Sequence, residues 1–174
     1  MQNQIIFSGF LKIKSSVLRD NCVKLACAMC AENDVTGLTL FDEGSFLTTL
    51  EGKKSRLLKV FEYCQGYDGL SEVTQIMQNS IETRDFDSFR IGVTRHDFSE
   101  DIPQMFKLNR QSYKTAIPEN ISPKLAILFQ SFARVNSIAE REVAKRPPLF
   151  GGNKPWRAKR RFQIDSLCYA PRPL

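Results

Sequence analysis

The sequence predicts an α+β fold of the ferredoxin-like type, with elements in the order β-α-β-β-α-β-β. Two observations lead to this prediction. Strand-like and helix-like apolar patterns alternate through residues 4–94. A turn signal, Asp42-Glu43-Gly44, also joins two adjacent strands as a hairpin. We therefore expect two helices on one face of the sheet, followed by C-terminal helices and a basic tail.

The first elements follow from local patterns. Residues 4–8 are typical of a short buried strand. Ser15 or Ser16 can cap a helix whose apolar residues recur at helical spacing until Asn33. Strand formers then fill both arms of the hairpin, and Gly44 can adopt the positive φ that the turn needs. These arms are predicted at residues 36–41 and 45–50.

The later elements continue the same alternation. A second helix is predicted over residues 52–65, and two further strands over residues 73–81 and 89–94. Two C-terminal helices, over residues 102–115 and 122–142, can cover the open face of the sheet. The second has an apolar stripe that either packs on the sheet or joins two protomers. The stripe consists of Leu125, Leu128, Phe129, Phe132, Val135, Ile138 and Ala139.

Charge divides the chain unevenly. The 174 residues have a net charge of +6. Residues 143–174 contain eight basic residues and one acid, a net charge of +7, so the remainder is nearly neutral. Proline and glycine recur in this tail, and we expect it to be extended or disordered in isolation. The predicted organisation is a domain at 1–98, a helical extension at 99–142 and the tail.

Several function classes are disfavoured. No apolar run is long enough to span a bilayer, and the N-terminus lacks the features of a secretion signal. We expect a soluble cytoplasmic protein with no membrane contact. The odd number of cysteines, five, favours reduced thiols. Cys27 and Cys30 have no second pair, and His96 is the single histidine, so no metal site is expected. No nucleophile or phosphate-loop motif indicates an enzyme.

One run of the sequence resembles a known family. Thr36-Gly37, Gly44, Phe46 and Leu50-Glu51-Gly52 fall in register with the hallmark of the flavin-binding blue-light sensors called BLUF, "xGITGLLLYxxGxFLQxLEG". The segment 84–92, RDFDSFRIG, is similar to the family's "RxFxxWxMGF" strand. The resemblance covers residues 4–95. It implies a sensor fold with FAD as cofactor.

The positions that the family uses for flavin are altered here. The resemblance implies a tyrosine electron donor, a bridging glutamine, and an asparagine, an arginine and a methionine beside the ring. A slip of one residue would place Phe7 at the tyrosine position. Because every replacement removes a needed group, no bound flavin is expected, with FAD as the alternative. The altered positions, in the same order, are Ile6, Thr48, Cys30, Tyr63 and Ile91.

These observations predict a regulatory protein of the BLUF fold that acts in signalling or gene regulation by binding a partner protein. Short members of the family imply a homo-oligomer and a regulator as partner. One alternative is a flavin-binding photoreceptor, and another is a nucleic-acid-binding regulator that uses its basic tail. The expected partner-binding residues of the tail are Lys154, Trp156, Arg157, Lys159, Arg160, Arg161 and Phe162.

Overall fold

The computed structural model describes residues 1–12, 16–42, 44–94 and 101–135. His96 and the tail, with all its expected partner-binding residues, lie outside this part. The described elements belong to one unit, Met1–Glu142. In chain order they are β1 (Gln2–Leu11), α1 (Ser16–Glu32), β2 (Thr36–Asp42), β3 (Ser45–Gly52), α2 (Lys54–Gly66), β4 (Leu70–Ile81), β5 (Phe89–Val93), β6 (Met105–Lys107), α3 (Arg110–Ala116) and α4 (Pro123–Val135).

The described strands form a six-stranded sheet in the order β4-β1-β3-β2-β5-β6. β1 pairs antiparallel with β3 and β4, and β2 pairs antiparallel with β3, which is the ferredoxin-like core. β5 then adds parallel to β2, and β6 adds parallel to β5. The α+β fold predicted from the sequence is confirmed.

Each face of the sheet carries its own apolar cluster, because successive residues of a strand point to opposite sides. One cluster joins the sheet to α1 and α2, and includes Val23, Leu50 and Val60. The other joins the sheet to α4 and includes Leu40 and Leu125. A sheet covered on both faces has the layered arrangement that buries most apolar surface.

The hairpin between β2 and β3 depends on two glycines. Gly44 has a φ of 95°, as the turn signal predicted. Gly37 has a φ of 148°, and a Cβ atom there would lie 2.0 Å from the carbonyl oxygen of Thr49. Only glycine fits this close approach of the two backbones.

The helix predicted over residues 102–115 is wrong in its first half. Met105–Lys107 forms β6, and a shorter helix, α3, follows it. The free edge of β5 supplies the backbone partners for β6, and the Arg90 guanidinium lies 4.7 Å from the Phe106 ring centroid. Asn109 accepts from the Gln111 and Ser112 amides and begins α3 with a capping box.

The apolar stripe of α4 packs on the sheet. Leu125, Phe129 and Ala133 are buried in the cluster that contains Leu47 of β3. The second C-terminal helix thus covers the open face of the sheet, as the sequence predicted. The protomer interface proposed for the same stripe remains a prediction, and residues 136–142 lie outside the described part. None of the described helices is long and apolar enough to cross a membrane.

Candidate functional site

A small cavity lies between the sheet and the helices α1 and α2, and its volume is about 60 Å³. Its floor is a row of side chains that crosses four adjacent strands. Phe7 of β1 is paired with Thr48 of β3, Thr48 with Thr39 of β2, and Thr39 with Ile91 of β5. All four are buried and line the cavity.

The hydroxyl groups of the two threonines in the floor are hydrogen-bonded to each other. The Thr39 and Thr48 hydroxyl oxygens lie 2.9 Å apart, a hydrogen bond between two buried groups. Beside them, the Phe7 ring makes edge contacts with two other aromatic rings. Its centroid lies 5.1 Å from that of Phe61 and 6.1 Å from that of Phe46. The floor is therefore packed and mostly apolar.

The helical walls of the cavity carry three thiols. Cys22 and Cys30 come from α1, and Cys64 comes from α2. All are free, as is the neighbouring Cys27. Burial raises the pKa of the Cys64 thiol to about 12 and that of Cys27 to about 11, and it raises the pKa of Cys30 further. Protonated thiols are weak nucleophiles and poor metal ligands, so these groups act as small apolar side chains.

Two tyrosines line the helical side of the cavity. The rings of Tyr63 and Tyr67 stack with their centroids 6.0 Å apart. Tyr63 is 37% exposed, and Leu25 of α1 is 39% exposed. All three side chains line the cavity, and the two phenol groups are polar groups within a mostly apolar lining.

The structure brings four of the five sequence-predicted positions to this cavity. Cys30, Thr48, Tyr63 and Ile91 line it. Their roles toward a flavin remain predictions. Ile6 does not line it, because its side chain lies on the opposite face of the sheet in the cluster with α4.

On β1 the residue that faces the cavity is Phe7, which pairs with Thr48. This side-chain arrangement agrees with the one-residue slip considered in the sequence. The assignment of Phe7 to the tyrosine position of the family stays a prediction. Asn33 is close in sequence to Cys30, and Gln65 is close to Tyr63. Neither Asn33 nor Gln65 lines the cavity. The Asn33 amide instead donates to the Met29 carbonyl oxygen at 2.8 Å.

Sequence reasoning missed Thr39. A signal for it was present, since a tight hairpin between Asp42 and Ser45 pairs residue 39 with residue 48. It also missed a second polar centre at the far end of β3, around Glu51. The Glu51 carboxylate is fully buried, although the sequence shows it only as part of the motif Leu50-Glu51-Gly52.

Three donors surround Glu51. The Gln4 amide donates to Oε1 at 2.9 Å, and the backbone amides of Asp85 and Phe86 donate to Oε2 at 2.8 and 3.1 Å. Burial raises the pKa of the Glu51 carboxyl, more than the hydrogen bond from Gln4 lowers it. The carboxylate ties the loop before β5 to β3 and β1. We interpret this centre as structural.

Metal binding has no support among the described residues. No group of three or more histidine, cysteine, aspartate or glutamate side chains there could hold a metal ion. The site is thus an apolar cavity under two helices, on a ferredoxin-like sheet. This combination defines the structural class of the chain, an α+β domain of the ferredoxin-like type.

Comparison with protein families finds one match. Residues 13–92 match the family described as "BLUF: Sensors of blue-light using FAD". The similarity to this family covers less than half of the 174 residues. No curated protein sequence matches the chain.

Solved structures share the fold. BlrB, a BLUF protein in its dark state, is 16% identical with a TM-score of 0.52, over 77% of this chain and 96% of that one. BlsA in a photo-activated state is 14% identical with a TM-score of 0.52, over 82% and 97%. Klebsiella pneumoniae BlrP1 with FMN and cyclic diGMP is 18% identical with a TM-score of 0.59, over 77% of this chain and 35% of that one.

The relatives differ in size. This chain spans 34% of a bacterial light-regulated adenylyl cyclase and 35% of BlrP1, but nearly all of BlrB and BlsA. At these identities, the similarity concerns the fold alone.

Proposed function

We propose that this protein is a regulator of the BLUF fold that does not hold a flavin and that acts by binding a partner protein. The observation that carries the proposal is the row Phe7, Thr48, Thr39 and Ile91 on the floor of the cavity. In the family, as the resemblance implies, the corresponding strands present a phenol and an amide to the flavin.

The floor lacks the groups for flavin photochemistry. Phe7 has no hydroxyl, so it cannot release a proton with an electron as a tyrosine does. Thr48 is too short to bridge a ring and a neighbouring strand, and its hydroxyl is already paired with that of Thr39 at 2.9 Å. A flavin ring would leave its polar edge without these partners, at a cost of roughly 1–3 kcal/mol for each lost hydrogen bond.

The cavity is also small for a flavin ring. Its volume is about 60 Å³, whereas pockets for ligands of drug size hold roughly 300–1,000 Å³. Ring entry would have to separate α1 and α2 from the sheet and break the contact between Phe7 and Phe61. Such a packed interior resists expansion, because its side chains already occupy their space.

Absorption spectroscopy tests the missing flavin. The purified protein is incubated with excess FAD, and in parallel with FMN, and free flavin is then removed. We expect no bound flavin band in the blue. A flavin-binding BLUF protein treated in the same way controls for losses during removal. A retained band would contradict the proposal.

The photoreceptor is the second candidate function, and the match to a family of FAD-using sensors favours it. Its signature is a red shift of a retained flavin band on blue illumination. The nucleic-acid-binding regulator is a third candidate, favoured by the charge of +7 in residues 143–174. Its signature is binding that weakens steeply with salt and disappears when the tail is removed.

A further inference from the structure

β4 lies at one end of the sheet, where it pairs with β1 on its inner side. No other described strand pairs with its outer side. It has 12 residues, which makes it the longest described strand. The backbone N–H and C=O groups along an outer edge are unpaired, so such a strand is a template for a further strand. Edges of this length usually carry a feature that blocks or uses them.

Two irregularities confine the regular part of this edge. The register between β1 and β4 shifts between Ile6 and Phe7 and again between Ser8 and Phe10. Glu72 has a φ of 52°, in the left-handed region. Bulges of this kind bend a strand and interrupt pairing. The segment Met77–Ile81 lies beyond both shifts and follows β1 in continuous register.

We propose that this segment pairs with the same segment of a second copy of the chain, antiparallel, about a twofold axis at Asn79. In that register Met77 lies opposite Ile81 of the second copy, and Gln78 lies opposite its Ser80. Apolar residues then meet apolar residues, and polar residues meet polar residues. Directly opposed residues share one face of the sheet, so each such pair is in side-chain contact. The segment is thus complementary to itself.

The absence of charge along most of β4 also favours a second copy of the chain as the partner. Residues 73–81 contain no charged side chain, and Glu72 is the single charge of β4. Edges that resist association commonly carry lysine, proline or inward-pointing charges. A neutral edge can approach its own copy without charge repulsion.

The surroundings leave space for the second strand. Met77 packs against the cluster on the α4 side of the sheet, and Asn79 and Ile81 lie on the same side. An open polar groove runs there between the end of β4 and the start of α4, and Ile81 and Lys124 line it. Pairing would place the second copy's Ile81 beside Met77 at the margin of this groove, and join two sheets into one.

Sedimentation equilibrium on the full chain tests the proposal. The variants change Gln78 and Ser80, which lie opposite each other across the twofold axis. In Gln78→Lys with Ser80→Lys, two lysine pairs face each other across the axis. We expect dimerisation to weaken by about tenfold or more, because like charges in directly opposed positions repel. In Gln78→Glu with Ser80→Lys, opposite charges face each other and the dimer should be retained.

Ser55→Lys with Gln65→Lys is the matched control, since it adds the same charge at exposed positions of α2. It should leave dimerisation unchanged. A wild-type protein that stays monomeric overturns the proposal. So does a dimer that survives the lysine pair on β4, or one that Gln78→Glu with Ser80→Lys fails to retain. Circular dichroism melts confirm that each variant folds. The result is independent of flavin, because the segment Met77–Ile81 does not line the cavity under α1 and α2.

Discussion

Glu51 shows at the scale of one residue how this fold treats a buried charge. Its carboxylate has no exposed surface and accepts hydrogen bonds from Gln4, Asp85 and Phe86. Burial disfavours the ionised form, and the donors recover only part of that cost, so the pKa is raised. The nearby Asp85 carboxylate also raises it. Stability should therefore depend on the protonation of this residue.

The dependence has a definite sign. The folded carboxyl binds its proton more tightly than the unfolded one, so its contribution to stability is lost as pH rises above the ordinary glutamate pKa of about 4.3 and through the raised value. In Glu51→Gln this loss is absent. We therefore expect the free energy of unfolding of the variant, relative to wild type, to increase with pH over that window. Urea denaturation at a series of pH values measures it.

Glu62→Gln controls for the loss of one carboxylate, because Glu62 is exposed on α2. A difference between Glu51→Gln and wild type that stays constant with pH would contradict the expectation. The Gln4 amide can rotate to present its oxygen to the new amide, so the hydrogen bonds to the loop need not be lost.

The sequence predicted site residues where a pattern was local and failed where one position decided the outcome. Cys30, Thr48, Tyr63 and Ile91 were placed at the site by the resemblance to the family, and all four line the cavity. The tyrosine position was assigned to Ile6, although Phe7 is the residue that faces the cavity. A shift of one residue along a strand exchanges the two faces, and only pairing with β3 fixes the choice.

Among the elements, α4 has the clearest two-sided character. Leu125 and Phe129 are fully buried against the sheet, while Ile127 is 62% exposed on the other side. The apolar stripe predicted from helical spacing therefore serves the core. This leaves the outer side of α4, with Ile127, as the surface that a partner could use.

Truncation of Phe129 on the buried side of α4 should cost more stability than truncation of Ile127 on its exposed side. Phe129→Ala removes a fully buried side chain, and we expect a loss of about 3–5 kcal/mol in the free energy of unfolding. Ile127→Ala is the matched control and should change it by about 0.5 kcal/mol or less. Chemical denaturation of both variants measures the difference. Similar losses in the two variants would mean that α4 is not docked on the sheet as described.

The elements that the sequence predicted best were those with long periodic patterns, α1, α2 and the β2–β3 hairpin. β6 was missed because its three residues form a strand only beside the free edge of β5. After Pro103, residues 104–115 contain no proline or glycine that would have divided them. A pairing partner distant in sequence leaves no local pattern.

For the whole molecule, the match to the BLUF family ends at residue 92, but the described fold continues to residue 135. The later elements cover the sheet face opposite the cavity, with Leu125 and Phe129 as their buried contacts. The described body is thus built without the residues of the tail. Residues 143–174 carry a net charge of +7, and contact with a partner is our proposal for this charge.

Deletion of residues 145–174 tests whether the tail contributes to partner binding without contributing to stability. We expect the free energy of unfolding to stay within about 0.5 kcal/mol of the full chain, since no described core residue is removed. Binding to the partner protein should weaken, because the deletion removes the interleaved cations and aromatic residues from Lys154 to Phe162. Chemical denaturation measures the first quantity, and quantitative pulldown at several salt concentrations measures the second.

A second variant sharpens the comparison. Replacing Lys159, Arg160 and Arg161 by glutamine keeps the length of the tail and removes three charges, whereas Trp156→Ala keeps the charges and removes the indole. If charge alone carries binding, the first variant weakens it in a strongly salt-dependent way and the second does not. If the tail docks in a protein groove, the loss of Trp156 costs at least as much, because buried aromatic residues carry much of the energy of an interface. Unchanged binding on deletion of residues 145–174 would remove the tail from the proposed function.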